Sequence, residues 1–252
     1  MVWSVLGFQE DGETSFWSDP LYYFYPKLDK ERVRQLDFQG RKDYIGQTIR
    51  SLYEDLQGEL GQKISLYQAH WEKNRAQVEE ALSDAFETDC GPLFNDLQCR
   101  VCLNPISPRF LKEGAFEVFY RNSERGALGV TLHEIIHFVW FHVWNQVFRD
   151  SCEEYERPSL KWILSEMVVE SIMADPRLGR LNPYFPRQDG GCIYPWFFDM
   201  RAGERLILEV IDEKYRKLPI REFMKSSYAF CLEHEAQIRA HMEKAEREGI
   251  SG

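Results

Sequence analysis

The sequence predicts an α+β protein that is mostly helical, with a short sheet just ahead of one strongly apolar helix. Three observations carry this expectation. Apolar residues recur at three- and four-residue spacings across most of the 252 positions, the period of helices with one buried face. Two short stretches, 97–103 and 115–121, alternate instead, which is the period of strands. Residues 128–148 are apolar on almost every turn, as a helix surrounded by protein must be. With 252 residues, 44% of them hydrophobic, the chain can fill a sizeable core, and 1–252 is taken as a single domain. Its parts are an N-terminal extended segment with helices (1–90), strands with two central helices (91–176), and a loop with C-terminal helices (177–252).

Each element has its own signal. Residues 1–28 are rich in aromatics, from Trp3 to Tyr25, and Pro20 and Pro26 argue for a strand or an extended wrap. Val33, Leu36, Tyr44, Ile49, Leu52 and Leu56 predict a helix over 29–57, interrupted at Gly40 and Gly46. Leu60, Tyr67, Trp71, Val78, Leu82 and Phe86 predict a second helix over 59–86. Cys90-Gly91-Pro92 closes the helical section. Two strands follow, separated by a turn at Asn104–Pro108, and residues 122–129 read as a polar loop. The apolar helix spans 128–148, and a charged, solvated connector spans 149–158. Pro158 and Pro176 bracket a further apolar helix. Beyond it lies an apolar loop carrying Tyr184 and Tyr194, then helices over 202–218 and 220–248. The last one turns polar after Glu233, so its end is expected to face solvent or a partner.

The chemistry is concentrated in His133-Glu134-Ile135-Ile136-His137. On a helix, residues four apart lie within about 40° of each other, so both imidazoles can grip one metal ion. Glu134 sits beside the first histidine, in reach of a water bound to that ion. This is the pattern of a zinc metallopeptidase, with two histidine ligands and a glutamate base. The bland alternative is a pair of core histidines beside an ordinary acid. A catalytic zinc needs a third protein ligand. His142 lies nine positions past His133 and therefore points to the opposite face, so it reads as structural. Glu166 and Glu170 interrupt the following apolar helix four residues apart, where two buried acids need a cation or donor between them.

Here the chain resembles the gluzincins, zinc peptidases with His-Glu-x-x-His on one helix and a glutamate ligand on the next, over roughly residues 97–176. The resemblance implies a zincin-like catalytic core with Zn2+ held by His133, His137 and Glu166, and Glu134 as general base. It places Glu170 where the family often has an aspartate that hydrogen-bonds a ligand histidine, and the roles of Glu166 and Glu170 could be exchanged. It also implies an oxyanion donor past the third ligand, for which Tyr194, Tyr184 and His234 are the candidates. The metzincin pattern does not fit, because Trp140 and Val143 stand where it needs glycine and histidine.

Composition narrows the function classes. A net charge of −10 argues against general binding to nucleic acid or anionic membrane. No leader or bilayer-length apolar run is visible, which predicts a cytoplasmic protein with reduced thiols. Cys99-x-x-Cys102 lacks the second pair of a zinc ribbon and the βαβ setting of a redox site. The expected function is a zinc-dependent hydrolase cleaving a peptide or protein substrate, beside a sheet edge that an extended peptide can join. The alternative is a zincin-fold protein that binds metal or a partner without peptidase activity.

Overall fold

The fold is mostly helical with two small sheets, and this computed structural model describes residues 19–150, 155, 159–181 and 193–247. The aromatic stretch from Trp3 to Trp17, most of the connector before Pro158, and the loop with Tyr184 lie outside those residues.

Two helices form the middle of the core. The first, α5 (Glu124–Phe148), runs fifteen residues of its length buried, including Trp140 and Trp144. The second, α6 (Leu160–Met173), is buried at every position except Lys161. Both are strongly apolar, and α6 needs protein on every side. They pack against each other, and their junction is fixed by Asp150. Its Oδ2 accepts from Trp144 Nε1 at 2.8 Å and pairs with Lys161 Nζ at 2.8 Å. At this residue the charged connector is therefore a structural tie and not a solvated loop. The start of α5 also departs from expectation. The polar stretch at 122–129 is mostly helix, because Ser123 Oγ caps the Gly126 N–H at 3.1 Å and Glu124 favours the first turn.

The N-terminal part is built on α1 (Asp19–Phe24), α2 (Lys30–Gln35) and α3 (Phe38–Phe86), followed by α4 (Gly91–Asp96). Pro20 lies in the first turn of α1, where proline is tolerated, so this segment is helical and not extended. The helix expected over 29–57 breaks at Leu36-Asp37, between α2 and α3, and not at Gly40 or Gly46; its remainder and the helix expected over 59–86 form one helix, α3, of 49 residues, about 73 Å long. Added Cβ atoms at Gly46, Gly58 and Gly61 would meet nothing within 4 Å, so these glycines lie on open faces. They weaken the helix by about 1 kcal/mol each without bending it. Its buried stripe, Ile45, Leu52, Leu60, Tyr67, Val78, Leu82 and Phe86, holds it down. The first half packs on a small core with Leu21, Tyr25 and Val33, and the second half on α5.

The sheet has the order β1 (Gln98–Cys102), β3 (Ala115–Phe119), β2 (Arg109–Phe110). Strands β1 and β3 run parallel with Gln98 opposite Ala115, while β2 runs antiparallel with Arg109 opposite Phe116. The two expected strands are present, and β2 is an addition. The Tyr67 hydroxyl lies 2.6 Å from the Asn122 carbonyl and 2.8 Å from that of Tyr120, tying α3 to the turn that enters α5.

Past α6 come a single turn, α7 (Pro176–Gly179), and a hairpin of β4 (Arg201–Ala202) and β5 (Arg205–Leu206) around Gly203, whose φ is +61°. That hairpin takes the place of the first turn and more of the helix expected from 202, which begins instead as α8 (Ile207–Lys217). The last expected helix is two: α9 (Ile220–Glu233) and α10 (Glu235–Arg247). Ile238, Met242 and Ala245 turn α10 back onto the core, so it is not a projecting end. Among the described residues no helix is long and apolar enough to cross a membrane.

Candidate metal centre

The motif histidines lie one turn apart on α5, with ring centroids 4.9 Å apart. Their Nε2 atoms face each other at 3.2 Å. His137 is fully buried and His133 is half-buried. Glu166 comes from α6 with 2% of its surface exposed. Its Oε1 is 3.6 Å from His137 Nε2, and its Oε2 is 3.8 Å from His133 Nε2. One donor atom from each of the three side chains lies within 4.8 Å of the others, so the group could hold a metal ion. Glu170 is buried on the same helix and does not join that group.

The electrostatics suit a cation. Burial, followed by the nearby Arg109 and His133, pushes His137 well below the usual histidine range, so its imidazole is neutral with a lone pair to give. Glu134 is pushed up to about 8, chiefly by burial, with Glu166 adding and Arg109 opposing. Its Oε2 has no hydrogen-bond partner among the described residues, which is costly for a buried carboxylate that has nothing to act on. A four-coordinate ion with bonds of about 2.05 Å places its ligand atoms roughly 3.3 Å apart. The imidazole nitrogens at 3.2 Å match that value, and the two Glu166 oxygens, one 3.6 Å from His137 Nε2 and the other 3.8 Å from His133 Nε2, leave the three side chains able to fit such an ion with small shifts.

Sequence reasoning missed one member of this site. Arg109 of β2 reaches in and donates from Nη2 to Glu166 Oε1 at 2.8 Å, with Nη1 3.6 Å from Glu134 Oε2. Burial works against its charge, but Glu166 and Glu134 more than offset this and raise its pKa. The signal was a lone cation in the apolar run Pro108-Arg109-Phe110-Leu111, next to a predicted strand. Ser107, two residues earlier, has a φ of +53° and precedes proline, so the chain is bent sharply where it delivers Arg109.

The other candidates separate. Tyr194 is close enough to Arg109 to act on its charge, and its ring meets Trp162 of α6 at 6.0 Å and stacks on Trp196 at 4.5 Å. His234 follows α9, packs edge-on against Phe230, and does not join the donor group. Tyr184 lies outside the described residues. His142 is exposed and bonded to Gln146, so it is a surface residue on the face opposite the triad and not a core one. The hydrogen bond expected from position 170 to a ligand histidine is not made to His137, whose Nδ1 has no hydrogen-bond partner among the described residues. Cys99 and Cys102 are free and three apart on β1, so they face opposite sides of the sheet and cannot act as a pair.

No protein-family model matches the chain, and no curated protein and no solved structure matches it either.

Proposed function

We propose that this chain is a zinc-dependent hydrolase of the gluzincin kind, with a zincin-like core, acting on peptide bonds. One observation carries the reading. Two imidazole nitrogens and a carboxylate converge at 3.2–3.8 Å, beside a buried glutamate whose Oε2 has no hydrogen-bond partner. His133 and His137 would hold the ion through Nε2, and Glu166 through its carboxylate. Two neutral imidazoles and one carboxylate are a donor set that suits zinc. Bound zinc supplies Lewis acidity, acidifying water and polarising a carbonyl.

The chain's own residues do the rest. Glu134 takes a proton from water at its free oxygen and passes it to the leaving amine. A carboxylate whose proton affinity is raised by burial can do both near neutral pH. Arg109 opposes that rise. Of the two tyrosine candidates Tyr194 is the one within the described residues, against Trp162 of α6, and it would be the donor to a developing oxyanion. Strand β2 is the sheet edge nearest the site, and its two residues leave an extended peptide only a short stretch to pair with.

Glu134→Gln tests this reading. It should keep zinc bound and lower turnover of a mixed peptide library by roughly 10²–10⁴-fold. Undiminished turnover would remove Glu134 from the mechanism. Zinc bound by the wild type with no cleavage at all would leave a metal-binding protein without peptidase activity.

A further inference from the structure

Arg109 has no chemical step in the mechanism above, yet it touches both of that mechanism's acids. Its Nη2 donates to Glu166 Oε1 at 2.8 Å and its Nη1 lies 3.6 Å from Glu134 Oε2. A guanidinium is a rigid plane, so fixing one side of it orients the other. Glu166 therefore has one oxygen held, and the carboxylate still faces both imidazoles, with Oε1 3.6 Å from His137 Nε2 and Oε2 3.8 Å from His133 Nε2. The three donor side chains thus converge with the guanidinium in place. The delivery is built into the fold. Arg109 sits opposite Phe116 in the sheet, the Pro108 carbonyl accepts the Glu117 N–H at 2.8 Å, and the left-handed Ser107 turns the chain into that register.

Resting on the metallohydrolase reading, we infer that Arg109 is a positioning residue for the metal centre: it grips Glu166 by Oε1, holds that carboxylate facing the two imidazoles, and sets Glu134 in register with that ligand. It acts through Glu166 and Glu134 and not on substrate, because its Nη2 is bonded to the first carboxylate and its Nη1 faces the second. The rival role is a counter-ion that competes with the metal for Glu166, and the two roles change zinc affinity in opposite directions.

Zinc affinity is measured by competition with a chromophoric chelator, alongside thermal unfolding with and without zinc. Wild type, R109M, R109K, E134Q and the double variant R109M/E134Q are compared. R109M should bind zinc about 10–100-fold more weakly than wild type, the usual cost of losing a residue that orients a ligand. R109K should recover only part of that loss, since one ammonium cannot hold two carboxylates in a fixed geometry. R109M/E134Q should show the same loss relative to E134Q. That pair removes one buried acid along with the arginine, so the test survives if R109M alone fails to fold. Equal or tighter zinc binding on losing Arg109 in either background would overturn the proposal and make it a competitor. Complete rescue by R109K would also overturn it, reducing the residue to a charge. If instead wild type and H137A bind zinc alike, it is the metal centre itself that fails.

Discussion

Ser107 shows how much of this site rests on single residues. Its φ of +53° lies where a side chain costs about 1–2 kcal/mol, and the following proline restricts it further. Ser107→Val should destabilise the protein by about 2 kcal/mol in chemical denaturation and weaken zinc binding by shifting Arg109. Ser107→Gly should leave both close to wild type, since glycine accepts the same φ freely. The motif residues were legible in the sequence because five consecutive positions on a helix fix their own relative geometry. Glu166 was legible as an acid inside an apolar run that needs a partner. Arg109 was not, because it meets Glu166 across 57 positions through a two-residue strand with no periodicity of its own. Nor could sequence show that Glu170 stands apart from the donor group, since two acids one turn apart share a helix face and only the neighbouring helix decides which is met.

Helix boundaries were the weakest part of the reading at the level of elements, and the reasons are physical. Glycine weakens a helix by about 1 kcal/mol without ending it, so α3 runs through four of them. Polarity does not prevent a helix where a cap is available, so α5 starts at Glu124, capped by Ser123, and not at Leu128. Ser123→Ala should cost about 1 kcal/mol in thermal or chemical unfolding, the value of one lost cap. Asp175 joins two elements in the same way. It caps the turn of α7, pairs with Arg177 and accepts the Tyr215 hydroxyl of α8 at 2.9 Å. Burial raises its pKa, but the Arg177 and Tyr215 hydrogen bonds outweigh this and hold it below the ordinary 3.8. A depressed carboxyl contributes its stability at pH values above the unfolded pKa and loses it as pH falls through the folded one. Asp175→Asn should therefore destabilise the protein at neutral pH by about 1–2 kcal/mol. The difference from wild type should shrink once the pH drops below about 3.8, which paired unfolding curves across pH would reveal.

The whole molecule works as a support that carries α5 and α6 at a fixed spacing. A large core encloses both helices, a smaller one anchors the first half of α3, and Val101 touches the two clusters. The fold class was legible because apolar stripes and two alternating runs survive any error in their ends. The sheet order was not, because parallel pairing of β1 with β3 depends on where the intervening chain returns. All of this serves one claim, that the space between the two central helices is shaped for a single zinc ion. The most direct measurement is a crystal structure of the zinc-loaded protein with anomalous scattering collected at the zinc edge. The account predicts one peak about 2.0–2.2 Å from His133 Nε2, His137 Nε2 and a Glu166 oxygen, with Glu134 beside it. A peak elsewhere, or imidazoles turned away from each other with no peak between them, would contradict it.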